Sequence, residues 1–150
     1  MAAIANIEKV VPEKVALPPV EQRAVLEIAY LSVAADHTIN EDEEVAFRAL
    51  AKRLAGASEG EREAQALLSK FDGHMDRDDA DARLRELAKA LTSPGSRELA
   101  YKMAYTLALA DLASSDQEFE FDLQLIDALG LTQETVDRLT EEVMTALDPG

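Results

Sequence analysis

Four carboxylates stand out by their spacing. Asp36 and Glu43 lie seven positions apart, and Asp111 and Glu118 repeat that separation 75 positions later. Carboxylates paired around short turns can serve two kinds of chemistry. Drawn together, they make an oxygen-only ligand set, which suits a hard divalent cation (Ca2+, Mg2+ or Mn2+) rather than a softer metal. Kept apart, they accept hydrogen bonds from backbone N–H groups and fasten the starts of helices. Asn40 and Ser115 stand three residues before Glu43 and Glu118, the spacing of a capping box, so the second use is open to both copies. A cation requires Asp36, Glu43, Asp111 and Glu118 to converge, with backbone carbonyls and water completing the coordination.

Other chemistries are poorly served. The chain has no cysteine, which removes thiolate nucleophiles, disulfides and thiolate metal sites. Asp36, Thr38, Asn40 and Asp42 imitate the alternating oxygens of an EF-hand loop. That loop needs glycine at its sixth position and a bidentate glutamate at its twelfth, where this chain has Glu41 and Phe47. Neither His37 nor His74 follows a glutamate at three residues, so no di-iron pair is formed on a helix. Neither a glycine-rich phosphate loop nor a Gly-x-Ser-x-Gly elbow occurs. The expectation is a binding protein and not an enzyme.

The bulk charge points the same way. Thirty acidic residues against fifteen basic ones give a formal net charge of −15. Such a surface repels nucleic acid and anionic lipid, and favours cations or a basic protein partner. No apolar run approaches the roughly 18 to 20 residues of a membrane span. The amino terminus lacks a basic stretch followed by an apolar one, and with no cysteine the expected location is the cytoplasm.

The carboxylates must be positioned by helices. The apolar content leans on Ala and Leu, and periods of three and four recur throughout. Seven helices are expected: Val20 to Ala35, Glu41 to Ala55, a third from a Ser58/Glu61 capping box through Phe71, a fourth opened by the acidic run Asp76 to Asp81, a fifth from Ser93-Pro94 to about Leu112, a sixth over Asp116 to Leu129, and a seventh over Gln133 to Leu147. On the second helix Val45, Ala46, Ala49, Leu50 and Leu54 are expected inward. Residues 1–18 read as an arm or short helix, and residues 19–150 as one all-α domain. A shift of 75 positions aligns Ala29-Tyr30 with Ala104-Tyr105, Leu50 with Leu125 and Leu54 with Leu129, which makes the acidic helix–turn–helix unit an internal repeat about a pseudo-twofold axis.

The two turns read AADHTINEDEE and LADLASSDQEF, the second preceded by RELAYKMAYTLALAD and followed by Leu-Gly-Leu at 129–131. In these segments the chain resembles the tellurite-resistance TerB-like family, over about residues 20 to 147. The resemblance implies an all-helical fold of about seven helices, a divalent-cation site at Asp36, Glu43, Asp111 and Glu118, and a loose association with stress response. The glycine that follows each aspartate in that family is replaced here by His37 and Leu112. A loop needing positive φ at that point would therefore be reshaped.

Overall fold

The computed structural model describes residues 17–34, 41–70, 77–110 and 116–147; the side chains of residues 42, 57, 77, 78, 108–110, 116–122 and 147 fall outside that description. The described residues form seven α-helices and no strand: α1 (Pro19–Ala34), α2 (Glu41–Ala55), α3 (Ala57–Leu68), α4 (Arg77–Ala90), α5 (Pro94–Ala110), α6 (Asp116–Leu129) and α7 (Gln133–Leu147). The fold is an all-α single domain.

Local chemistry sets the helix ends. Pro19 and Pro94 open α1 and α5, where the missing N–H costs nothing and φ is already helical. Ser93 caps α5, its hydroxyl accepting the Ser96 N–H at 3.2 Å, and Thr132 caps α7 by accepting the Thr135 N–H at 3.2 Å. Gly56 ends α2 at φ 96°, and Gly130 ends α6 at φ 68°, conformations that few other residues adopt cheaply.

α1 and α5 form the centre. From Ala24 to Ala34 every α1 residue but Glu27 is buried, and Leu99, Ala100, Tyr101, Met103, Ala104, Thr106 and Leu107 bury most of α5. A helix apolar nearly all round belongs inside a bundle. The two run parallel. Near their starts the Ser96 hydroxyl donates to Glu21 Oε1 at 2.9 Å, and near their ends the Ser32 hydroxyl donates to the Ala104 carbonyl at 3.2 Å.

Each central helix carries its successor antiparallel. Gln22 Nε2 at the start of α1 donates to the carbonyl of Leu54 at the end of α2 (2.9 Å), and Tyr30 meets Phe47 at 6.4 Å between ring centroids. Arg97 Nη1 at the start of α5 donates to the carbonyl of Leu129 at the end of α6 (2.7 Å). α3 lies on α2 and α1, and α7 on α5. α4 bridges α1 and α6, tied by the Arg83–Glu27 fork (2.5 and 2.8 Å) and the Arg85–Asp127 pair (2.9 Å).

Three expectations change. Val45 is 48% exposed, while Phe47 is fully buried in its place. The inward stripe of α2 runs through Glu43, Ala46, Phe47, Leu50 and Leu54, and Val45 lies off it. α3 starts at Ala57, not at a Ser58 cap; Gly56 precedes it and makes no side-chain cap bond. Its helix ends at Leu68, and Phe71 lies outside the described residues, as does the arm up to residue 16. Leu17 is described and packs on the core.

Candidate functional site

Of the four repeat carboxylates, the described residues give a side chain for Glu43 alone. Asp36 and Asp111 lie outside them, and Glu118 is placed only through its helix. The helix starts nevertheless fix two registers. With α2 beginning at Glu41 and α6 at Asp116, Glu43 and Glu118 are both the third residue of their helix, where a capping-box acid belongs. Glu43 is 1% exposed and interacts with neighbouring groups of the fold. A carboxylate taken that far out of water demands compensation by hydrogen bonds or positive charge.

The parallel setting of α1 and α5 decides where the turns begin. α1 and α5 both end, and α2 and α6 both start, at one end of the central pair. The two acidic connections thus leave from the same end of the molecule. Among the described residues no group of three or more His, Cys, Asp or Glu side chains gathers into a metal-holding cluster. Glu43 by itself falls short of the six to eight oxygens typical of Ca2+, so a cation would have to draw most of its ligands from Asp36, Asp111 and Glu118.

The opposite end of the central pair holds groups that spacing did not single out. Glu21, 7% exposed in the first turn of α1, accepts from the Thr92 N–H at 3.0 Å as well as from Ser96. Arg97 spreads its guanidinium over three carbonyls: Nε to Leu91 (2.8 Å), Nη1 to Leu129 (2.7 Å) and Nη2 to Ala88 (3.1 Å). A planar fork with donors on each nitrogen is suited to gathering the carbonyl ends of α4 and α6. Beside it opens a cavity of about 510 Å³ lined by Lys89, Pro94, Arg97, Glu98, Gly130 and Thr135, among others. Nothing in the sequence marks Arg97 except its place in a helix's first turn, where a cation is unfavoured by the dipole and so needs another reason.

Several contacts recur at a separation of 75. Gln22 and Arg97 donate to Leu54 and Leu129 respectively, each partner 75 positions from its counterpart. Arg23 lies 3.8 Å from Glu63, and the corresponding Glu98 lies 2.7 Å from Arg138, the same ion pair with its signs exchanged. Glu21 and Ser96, which bond to each other, are themselves 75 apart.

No helix among the described residues is long and apolar enough to cross a membrane. No family model matches the chain, and neither a curated protein nor a solved structure is significantly similar to it.

Proposed function

We propose that this chain is a non-enzymatic, TerB-like cation-binding domain of the cytoplasm, associated with tellurite resistance and stress response, which takes a divalent ion (Ca2+, Mg2+ or Mn2+) at its duplicated acidic turns. One observation carries the proposal: Glu43 is buried at the end of the central pair from which both acidic connections leave. An internal repeat is supported by the contacts that recur 75 positions apart, and it would bring Asp36, Glu43, Asp111 and Glu118 about a pseudo-twofold axis.

Titrating metal-free protein with Ca2+, Mn2+, Mg2+ and Zn2+ while following melting temperature tests this. At a hundredfold excess over Kd a single ion adds about 2.7 kcal/mol, which for a chain of this size is a rise of roughly 5–10 °C. Asp36→Asn and Asp111→Asn should abolish the rise. No shift with any of the four ions would overturn the proposal.

A second function draws on the charge of −15, and on the capping register of Glu43 and Glu118. Here the four carboxylates are structural, and the acidic surface recruits a basic protein. Asp36→Asn would then lower stability equally with and without metal.

A further inference from the structure

In a chain with twice as many acidic as basic residues, the walls of the cavity beside Arg97 hold two cations and one acid. The acid, Glu98, already has a counter-charge in Arg138 at 2.7 Å. The cations are Lys89, in the last turn of α4, and Arg97 itself. Lys89 is exposed and has no acidic partner among the described residues. Arg97 meets its three carbonyls with one N–H from each nitrogen. A guanidinium has five N–H groups, so each terminal nitrogen keeps one beyond those bonds.

Two hydroxyls on the same walls add neutral donors. The Thr135 hydroxyl accepts from that of Thr132 at 2.9 Å, which leaves its own hydrogen to be donated. Thr92 gives its backbone N–H to Glu21, and its hydroxyl has no partner among the described residues. Thr135 also stands 75 positions after Gly60. Where Gly60 lets the backbone of α3 close on α2, Thr135 puts a side chain on the cavity wall.

Much of the remaining lining is apolar. Leu91 and Leu129 are buried, and Pro94 and Leu131 join them. A few donors set among apolar side chains are the makeup of a small-molecule site. The volume of about 510 Å³ falls inside the usual range of roughly 300–1,000 Å³.

We infer that this cavity binds a small organic monocarboxylate with an apolar body. Lys89, Arg97, Thr92 and Thr135 bring positive charge and donors, and the one acid on the walls is paired, so the ligand's head is an anion that accepts hydrogen bonds. Its body covers Leu91 and Leu129, which gains by removing apolar surface from water. A single charge suits the molecule, because the field of a chain at −15 repels a polyanion. The cavity lies at the end of the central pair opposite the acidic turns, so it stands or falls independently of a cation there.

Titrating the full chain with hexanoate, hexan-1-ol and inorganic phosphate, followed by amide shifts in nuclear magnetic resonance, tests it. Hexanoate should move the amides of Thr92, Gly130 and Thr135 saturably, with a Kd on the order of 1 mM, within reach of so small a ligand. Hexan-1-ol, with the same body and no charge, should bind about tenfold more weakly. Lys89→Gln should weaken hexanoate by about fivefold, the loss of one charged donor. Lys89 is exposed, so this change leaves the fold intact. Lys70→Gln makes the same change of charge at an exposed residue outside the cavity lining and should alter binding by about twofold or less. Equal losses in the two variants, or hexan-1-ol binding as tightly as hexanoate, would overturn the carboxylate site. So would phosphate binding more tightly than hexanoate, or hexanoate shifts that do not saturate at those amides.

Discussion

Replacing Gly60 by alanine should unseat α3. The added methyl meets backbone on α2, at 2.5 Å from Lys52 Cα and 2.6 Å from the Ala51 carbonyl carbon. Ordinary carbon–carbon contacts lie near 3.5–4.0 Å, so α3 must withdraw by on the order of 1 Å. A backbone wall cannot swing aside as the end of a long side chain can, which places the penalty near the top of the usual overpacking range, about 3 kcal/mol. Alanine in place of a helical glycine returns about 1 kcal/mol. The net loss is about 2 kcal/mol, or a fall of roughly 4–8 °C in a chain of this size. Gly95, in the first turn of α5, has nothing within 4 Å of the same added atom, and Gly95→Ala should raise stability by up to about 1 kcal/mol. Urea and thermal unfolding of the two variants, followed by far-ultraviolet circular dichroism, give opposite signs if the close approach is real. A G60A protein as stable as wild type would refute the α2–α3 packing.

Two further outcomes follow from the opposite end of the bundle and from α7. Arg97→Gln should keep a single amide bond to Leu129, as Gln22 does to Leu54, and lose the tie to α4; Arg97→Ala should lose all three. Hydrogen bonds from a charged donor contribute about 1.5–3 kcal/mol and are not additive, so urea unfolding should show losses of roughly 1–2 and 3 kcal/mol respectively. Burial works to raise the Glu142 pKa, but hydrogen bonds from Lys102 and Arg138 outweigh it and hold the carboxyl below its usual range. A depressed folded pKa stabilises the protein above the unfolded value and ceases to do so as pH falls through the folded one. Glu142→Gln should therefore be slightly less stable than wild type near neutrality, and the two should converge as pH falls below the usual carboxylate range in thermal melts across pH.

Much of this architecture was legible because it is local. Helix periods, Pro19, Gly56, Ser93-Pro94, Gly130 and Thr132 act over four or five residues, so the boundaries of α2, α6 and α7 follow from the sequence to the residue. Val45 misled because an apolar β-branched residue one position off a stripe is indistinguishable by type from one on it; only the placement of Phe47 against Tyr30 settles which turns inward. Gly60 reads as a weak spot in a helix until α2 is seen to lie against it. Glu21 looks like an ordinary surface charge because its partners Thr92 and Ser96 are 71 and 75 positions away. Arg97 does because backbone carbonyls 6, 9 and 32 positions away leave no mark in side-chain spacing. For the candidate site, the sequence fixes the capping register of Glu43 and Glu118. Whether the turns approach one another depends on the parallel packing of α1 and α5, which no short-range pattern specifies.

The bond between Glu21 and Ser96 has a meaning beyond its hydrogen. In an assembly of two identical chains, a residue at the twofold must face its own copy. Glutamate would then oppose glutamate in a buried place, and serine would oppose serine without an anion to bind. A single polypeptide is released from that obligation. It can set an acceptor on α1 and a donor on α5, so that the two central helices meet in a directed pair. By the same freedom α1 meets α3 through Arg23 and Glu63, while α5 meets α7 through Glu98 and Arg138 with the signs reversed. An interchange of α3 and α7 would set Arg23 against Arg138 and Glu98 against Glu63, so each third helix carries a label for its own berth.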